Sequence, residues 1–551
     1  MTFRFLIALT FLLAASAAKA APGVVATENP QAAEAGAKIL ADGGSAVDAA
    51  IATALAVCTV HPSSCGIGGG GFLVIWSAPN RIASALDFRE RAPGASTPEL
   101  YEENGVYQPA RSRRGGLAIG VPGEIRGFWM AHQRFGNLPW ARLFEPSIRL
   151  ASEGFRVSPH LAKRIQAVRE SIAQDPALRQ VFLDADGKAP EADDLITRPD
   201  LAATFRRIAA EGPAAFYEGT IAEAIVAAAR AQGGVLQMAD LRDYEALWRR
   251  PLTTNYRGAQ ILTMPPPSSG GIALISALDT LEAYDVAGLG SSTPTRWHLF
   301  AEILKHAFAY RAQSAGDPGW DAAVWPPRGA ELRNRLRSYE VLPSESYPPV
   351  APPPSDSGTA HVSVLAGNGS GAALTTTVNT TFGSLVGVPG TGIILNNEID
   401  DFTFDAPNLF GLAPGPTNRI APGKRPASSM TPTLAVRRNK AIIAVGASGG
   451  PLIISATLEV LSNVLDFDMS PEMAVGAPRV HHQWMPDYLL VEREMPEVDR
   501  AALQMLGHQI REVRGVAAAS LAVREPGGSF AGAGDRRKGG SAKLSETEAT
   551  P

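Results

Sequence analysis

A threonine hydroxyl is a weak nucleophile unless a base stands beside it. A threonine at a chain's amino terminus carries that base itself, as a free α-amine with an ordinary pKa near neutrality. Thr359 is placed for this chemistry: it opens a β-like run directly after a proline-rich lead that ends in Gly358. The chemistry requires a chain break immediately before Thr359, and a flexible lead would let the new end withdraw. A threonine at a strand start is equally what β propensity produces. Gly449-Gly450 stand before an apolar helical run, about Leu452 to Leu465. Backbone N–H groups at such a start can hold an oxyanion, and a plain strand-to-helix turn has the same sequence. Arg89 together with Ser428-Ser429 could bind a carboxylate, because a guanidinium offers a planar fork matched to it. Asn396-Asn-Glu-Ile-Asp-Asp401 crowds acids and amides together, as an ammonium group or a metal would require. No His or Cys accompanies these acids at ligand spacing, so no metal or other cofactor is expected. His481 and His482 are adjacent, point different ways in regular structure, and read as structural or hydrogen-bonding residues.

These residues need elements to hold them. Asn29-Pro30 opens a helix and Gly43-Gly44 closes it, within a stretch, 24–57, that reads as two tandem helices. Ser45-Ala-Val-Asp48 reads as a capping box for the second, alanine-rich helix, which runs to about Val60. A glycine-rich loop follows, then strand-like Phe72–Trp76 and Ile82–Phe88, the latter delivering Arg89. Residues 110–340 carry mainly helical periodicity, interrupted by Pro265-Pro-Pro-Ser-Ser-Gly-Gly271. Residues 342–358 can form neither helix nor sheet, since proline removes donors and fixes φ; they form a tether. Beyond it the pattern turns β: Thr359–Leu365 and Ala372–Asn379 flank a Gly-Asn-Gly turn, and Thr433–Val436 and Ala441–Val445 make a second hairpin.

The 551 residues exceed one ordinary core of ~250–300 residues. With 50 Lys plus Arg against 54 Asp plus Glu there is no basic excess of the kind nucleic-acid binders carry. Residues 1–20 have the layout of a secretory signal peptide: Arg4, an apolar run from Phe5 to Ala18, and small residues around a cut after Ala20. That run is too short for a stable membrane span. The mature protein is therefore expected to be secreted, into the periplasm. An oxidising compartment permits a disulfide between Cys58 and Cys65, the chain's 2 cysteines, although a helix-to-loop geometry could equally leave two buried thiols.

Taken in order, the motifs resemble the γ-glutamyltransferase family over essentially the whole mature chain. The resemblance is carried by Gly43-Gly-Ser-Ala-Val-Asp-Ala-Ala50, Ser64-Cys-Gly-Ile-Gly-Gly-Gly-Gly-Phe72, Asp87-Phe-Arg-Glu-Arg-Ala-Pro93, Gly120-Val-Pro-Gly123 and Pro266-Pro-Ser-Ser-Gly-Gly271. It continues through Thr359-Ala-His361, Asn379-Thr-Thr-Phe-Gly383, Leu395-Asn-Asn-Glu-Ile-Asp-Asp-Phe402, Lys424-Arg-Pro-Ala-Ser-Ser-Met-Thr-Pro432, Gly449-Gly450 and Pro478-Arg-Val-His-His-Gln-Trp484. It implies an α+β fold of the N-terminal-nucleophile hydrolase type, a four-layer αββα sandwich with a large helical part in the N-terminal subunit. It implies a precursor that cuts itself into a large subunit, 21–358, and a small catalytic subunit, 359–551, which stay together as a heterodimer. By position, Thr359 matches the nucleophile and Thr377 the threonine bonded to it, while Gly449 and Gly450 match the oxyanion pair. Arg89, Ser428 and Ser429 match the grip on the substrate α-carboxylate; Asn379, Glu398 and Asp401 match the grip on its α-amino group. The implied substrates are γ-glutamyl compounds such as glutathione, cleaved through a threonine acyl-enzyme and passed to water or to an acceptor amino acid or peptide. Alternatives are an acylase of the same fold acting on glutaryl-cephalosporin or poly-γ-glutamate, and an uncleaved periplasmic binding pseudoenzyme. The chain departs from the family at Ala360, at Ser448 where proline is usual, and at Phe410 where some bacterial members have a lid tyrosine, in a loop, Asp405–Arg419, that is slightly short.

Overall fold

The computed structural model describes residues 22–314, 316–317, 329–337, 340–343, 358–406, 408, 412 and 415–545. The leader 1–20, residues 344–357 of the tether and Phe410 lie outside the described residues.

Two antiparallel sheets lie face to face. The first has seven strands in the spatial order Ser541–Leu544, Val24–Thr27, Gly358–Leu365, Gly371–Asn379, Gly70–Ser77, Ile82–Phe88 and Leu247–Arg249. The second has six: Phe530–Gly534, Ala518–Arg524, Lys440–Ser448, Thr433–Arg437, Ala259–Thr263 and Leu252–Tyr256. Alternation along Gly358–Leu365 explains the layering. Ala360, Val362 and Val364 pack in one apolar cluster with helix Ala46–Val60, on the outer face. His361, on the inner face, meets the second sheet at Gly446, where an added Cβ would lie 2.3 Å from the imidazole. Helices Pro30–Ala41 and Ala46–Val60 cover the first sheet; Gly270–Leu281 and Leu452–Leu465 cover the second, with Pro294–Ser314 packed against Gly270–Leu281. The architecture is the expected α+β, four-layer αββα sandwich.

Local signals hold where capping or turn chemistry is strong. Asn29 accepts from the N–H groups of Gln31 and Ala32, and Ser45 and Asp48 form the reciprocal capping box. Every residue of Ala46–Val60 is buried, which is why that helix is apolar on all sides. Two readings need correction, and one left open is decided. Val24–Thr27 is a strand, not helix, seated between the Gly358–Leu365 strand and the C-terminal one. The largely helical middle yields Leu247–Arg249 to the first sheet and the hairpin Leu252–Tyr256/Ala259–Thr263 to the second. Cys58 and Cys65 are disulfide-bonded, their Cα atoms 4.9 Å apart, because the chain turns back directly after the helix.

Candidate active site

Thr359 and Thr377 are directly opposed on neighbouring strands, and the ladder shifts register between Gly358 and Thr359. The shift passes over Val378 in the pairing, and at this irregularity the Gly358 carbonyl meets the Thr377 hydroxyl. The Thr377 hydroxyl donates to the Gly358 carbonyl at 2.6 Å, accepts the Asn379 N–H at 2.8 Å, and lies 3.3 Å from the Thr359 hydroxyl. A donor thus already touches the carbonyl that Thr359 would attack. Gly358 is required by crowding: a Cβ there would come within 2.4 Å of the Thr380 carbonyl oxygen and 2.9 Å of that of Ser63. Asn379 has φ 76°, a left-handed conformation that is uncommon outside glycine and gathers at functional sites. Its side chain donates to the Asn397 carbonyl.

Arg89 leaves the end of Ile82–Phe88 fully buried. Its guanidinium pairs with Glu398 and Asp401, lies 3.7 Å from Glu90, and donates to the Ala427 carbonyl at 2.9 Å. Burial alone would depress Arg89; Glu398, then Asp401 and Glu90, more than offset it and hold the guanidinium firmly charged. Burial pushes Glu398 up to about 8 and Asp401 up to about 7, against the pull of Arg89. Three buried acids thus surround the guanidinium, with Arg311 a second cation acting on Asp401, and an ammonium group placed beside Glu398 and Asp401 would favour their charged forms.

The sequence motifs act as scaffolding for this cluster. Asn396 donates to the carbonyls of Gly68 and Gly120 and accepts the N–H groups of Gly120 and Glu398, tying both glycine loops to the acids. A Cβ at Gly69 would lie 2.0 Å from the Thr377 carbonyl oxygen, so that loop can lie along the threonine strand only without side chains. Ser269 donates through N–H and hydroxyl to the Ser428 carbonyl, and Ser268 to that of Met430, so 265–271 braces the paired serines. One cleft is lined by Arg89, Thr359, Thr377, Asn379, Glu398, Asp401, Ser428, Ser429 and Gly450. Gly450, at φ 58°, precedes helix Leu452–Leu465; Gly449, at φ 143°, lies one residue behind, against Ala517, outside the lining. With the chain uncut the cleft holds about 30 Å³ of free space, room for a water molecule or two.

Several neighbours escaped sequence reasoning. Arg311 donates to Ser429 at 2.6 Å and to Ser269 at 2.8 Å, and buried Lys538 reaches the Thr359 carbonyl. Nothing in their local sequence marks them, because long-range packing alone brings them in. His481 and His482 are buried and hydrogen-bonded, to Ser455 and Asp487. His298, Glu302 and His508 gather within 4.8 Å, the only such group among the described residues. Most of their polar atoms are engaged: His298 bridges the Arg337 carbonyl and His508, while Glu302 pairs with Lys305 and accepts the Leu342 N–H. Lys305 also donates to the Leu342 carbonyl, so this network anchors the start of the tether.

The family model described as gamma-glutamyltranspeptidase matches residues 32–545. Glutathione hydrolase 2 of Arabidopsis thaliana is 36% identical over 546 residues, covering 94% of this chain and 93% of that protein. The glutathione hydrolase proenzyme of Escherichia coli is 34% identical over 528 residues, covering 94% and 91%. Among solved structures, cephalosporin acylase from Bacillus halodurans superposes with a TM-score of 0.81 at 27% identity, covering 98% of each chain.

Proposed function

Because this chain belongs to the γ-glutamyltranspeptidase family, we propose that it cleaves itself before Thr359 and then transfers γ-glutamyl groups from glutathione and related amides through Thr359. In self-cleavage the Thr359 hydroxyl attacks the Gly358 carbonyl carbon while Thr377 donates to its oxygen. The C–N bond gives way to an ester, and the nitrogen gains the hydroxyl proton; water then splits the ester. This leaves 21–358 as the large subunit and 359–551 as the small one. The name of the Escherichia coli relative, a proenzyme, supports this order of events.

In turnover the freed α-amine takes the Thr359 hydroxyl proton as Oγ attacks the γ-carbonyl. Gly450 and Gly449 offer N–H groups to the oxyanion, the leaving amine takes the proton, and water or an acceptor amine resolves the ester. Arg89, Ser428 and Ser429 hold the α-carboxylate; Asn379, Glu398 and Asp401 hold the α-ammonium. The observation that carries the reading is the single cleft in which nucleophile, guanidinium and acids converge. The leader-like sequence of residues 1–20 supports export to the periplasm, and no helix of the described residues is long and apolar enough to cross a membrane. The test is a denaturing gel together with a γ-glutamyl anilide: two fragments cut at Thr359 and released aniline are expected. A single full-length band with no aniline would leave a binding protein instead.

The resemblance to a cephalosporin acylase motivates a second reading, a glutaryl-amide acylase. A glutaryl group lacks the α-amine, and Glu398 and Asp401 would then face it without a counter-charge. Side-by-side turnover of glutaryl and γ-glutamyl amides decides between them, with the γ-glutamyl amide expected to be the better substrate.

A further inference from the structure

Lys538 ends the short turn Arg536–Lys538 near the C-terminus and is only 6% exposed. An ammonium has three hydrogens to place, and a buried one left unpaired is strongly destabilising. Here the three directions go to three separate parts of the fold. Lys538 donates to the carbonyl oxygen of Thr359 and to the Ser448 hydroxyl at 3.2 Å, and pairs with Glu28 at 2.6 Å. Thr359 carries the proposed nucleophile; Ser448 is the residue immediately before Gly449-Gly450; Glu28 follows strand Val24–Thr27, the neighbour of the nucleophile strand. The turn is itself anchored, since Asp535 pairs with Arg479 at 2.9 Å and with Arg537 at 3.0 Å and accepts the Ala519 N–H.

We propose that Lys538, held by Glu28, is a positioning residue that fixes the nucleophile strand against the oxyanion turn through Ser448. A serine at 448 does not restrict its own backbone as the expected proline would, and the bond to Lys538 supplies the missing restraint from outside the turn. The carbonyl of Thr359 is not consumed in either reaction, so the contact persists from precursor to mature enzyme. The inference rests on the Thr359 acyl-transfer reading. It adds that nucleophile and oxyanion donors are held in register by one buried cation that does not touch the reacting atoms.

The experiment compares wild type, Lys538→Met, Ser448→Ala and Thr359→Ala as full-length chains on a γ-glutamyl anilide. The amplitude and rate of the aniline burst, kcat, KM and the thermal midpoint are recorded for each. Lys538→Met is expected to lower kcat and the burst rate by roughly 10- to 100-fold, the scale of a small misplacement of reacting groups. KM should stay within about twofold, because the clamp on the glutamyl end is untouched. Ser448→Ala removes a single hydroxyl, should keep the wild-type thermal midpoint, and is expected to lower kcat by about 3- to 10-fold. Wild-type kcat in Ser448→Ala overturns the proposal even if Lys538→Met does not fold, as does a Lys538→Met defect confined to KM. An inactive wild type would instead sink the acyl-transfer reading, a result that cannot be confused with either of these.

Discussion

Replacing Thr377 by valine keeps the shape and removes one oxygen. That oxygen is the only side-chain donor the structure places on the Gly358 carbonyl among the described residues, at 2.6 Å. As the carbonyl becomes an oxyanion, loss of a neutral donor should cost about 2–3 kcal/mol, or on the order of 30- to 150-fold in rate. A second loss falls on stability: the buried Asn379 N–H, bonded to the same oxygen at 2.8 Å, is left without a partner, at about 1–3 kcal/mol. The two effects separate in the assay. Freshly folded precursor is sampled over time on a denaturing gel for appearance of the two fragments, while thermal unfolding of the uncut protein is followed in parallel. The expected result is slow but complete processing of a somewhat less stable precursor. Wild-type processing by a folded Thr377→Val chain would refute the assignment of this hydroxyl as the donor in self-cleavage.

Four other outcomes are expected. Arg89→Lys replaces a fork reaching two acids and the Ala427 carbonyl with a point charge, and should raise KM for a γ-glutamyl anilide by roughly 10- to 100-fold with kcat less affected. Glu398 and Asp401, pushed up to about 8 and about 7 by burial, become neutral as pH falls through that window, so attraction for an ammonium is lost there. The kcat/KM of a γ-glutamyl amide should therefore fall more steeply toward acid than that of the matching glutaryl amide; identical acid limbs would contradict the assignment. Gly358→Ala forces a Cβ onto the backbone oxygens of Thr380 and Ser63, and gel time courses should show processing slowed or abolished. Cys58→Ser, which opens a loop spanning 7 residues of sequence separation, should cost ~2–3 kcal/mol in denaturant unfolding while leaving correctly cut protein active.

The candidate site was legible where chemistry fixes residue type. Arg89, the acids of 396–401 and the paired serines each advertise a ligand charge, and the order of motifs along the chain joins them. The Asn29 and Ser45 caps and the glycine-turn hairpin were legible because their signals are local. The strands at 24–27 and 247–249 were not, because their partners lie far away in sequence, and the hairpin 252–263 was passed over within a largely helical pattern although its two strands pair locally. Val24–Thr27 is short and apolar, and periodicity over so few residues does not separate strand from helix. Lys538 and Arg311 were missed for the same reason: a buried cation is defined by its partners, which only the fold supplies. Pairing of Cys58 with Cys65 likewise depended on how sharply the chain turns after Val60.

The first sheet interleaves the two prospective subunits. Read across it, Ser541–Leu544 belongs to the small one, Val24–Thr27 to the large, the next two strands to the small, and the last three to the large. The second sheet mixes them as well, with Leu252–Tyr256 and Ala259–Thr263 zipped onto Thr433–Arg437. A cut before Thr359 would therefore sever one covalent link without freeing either piece. Parting them would mean tearing both sheets open, so halves from different molecules should not trade places short of full denaturation. Two variants, each disabled in a different fragment, should stay inactive when mixed after processing.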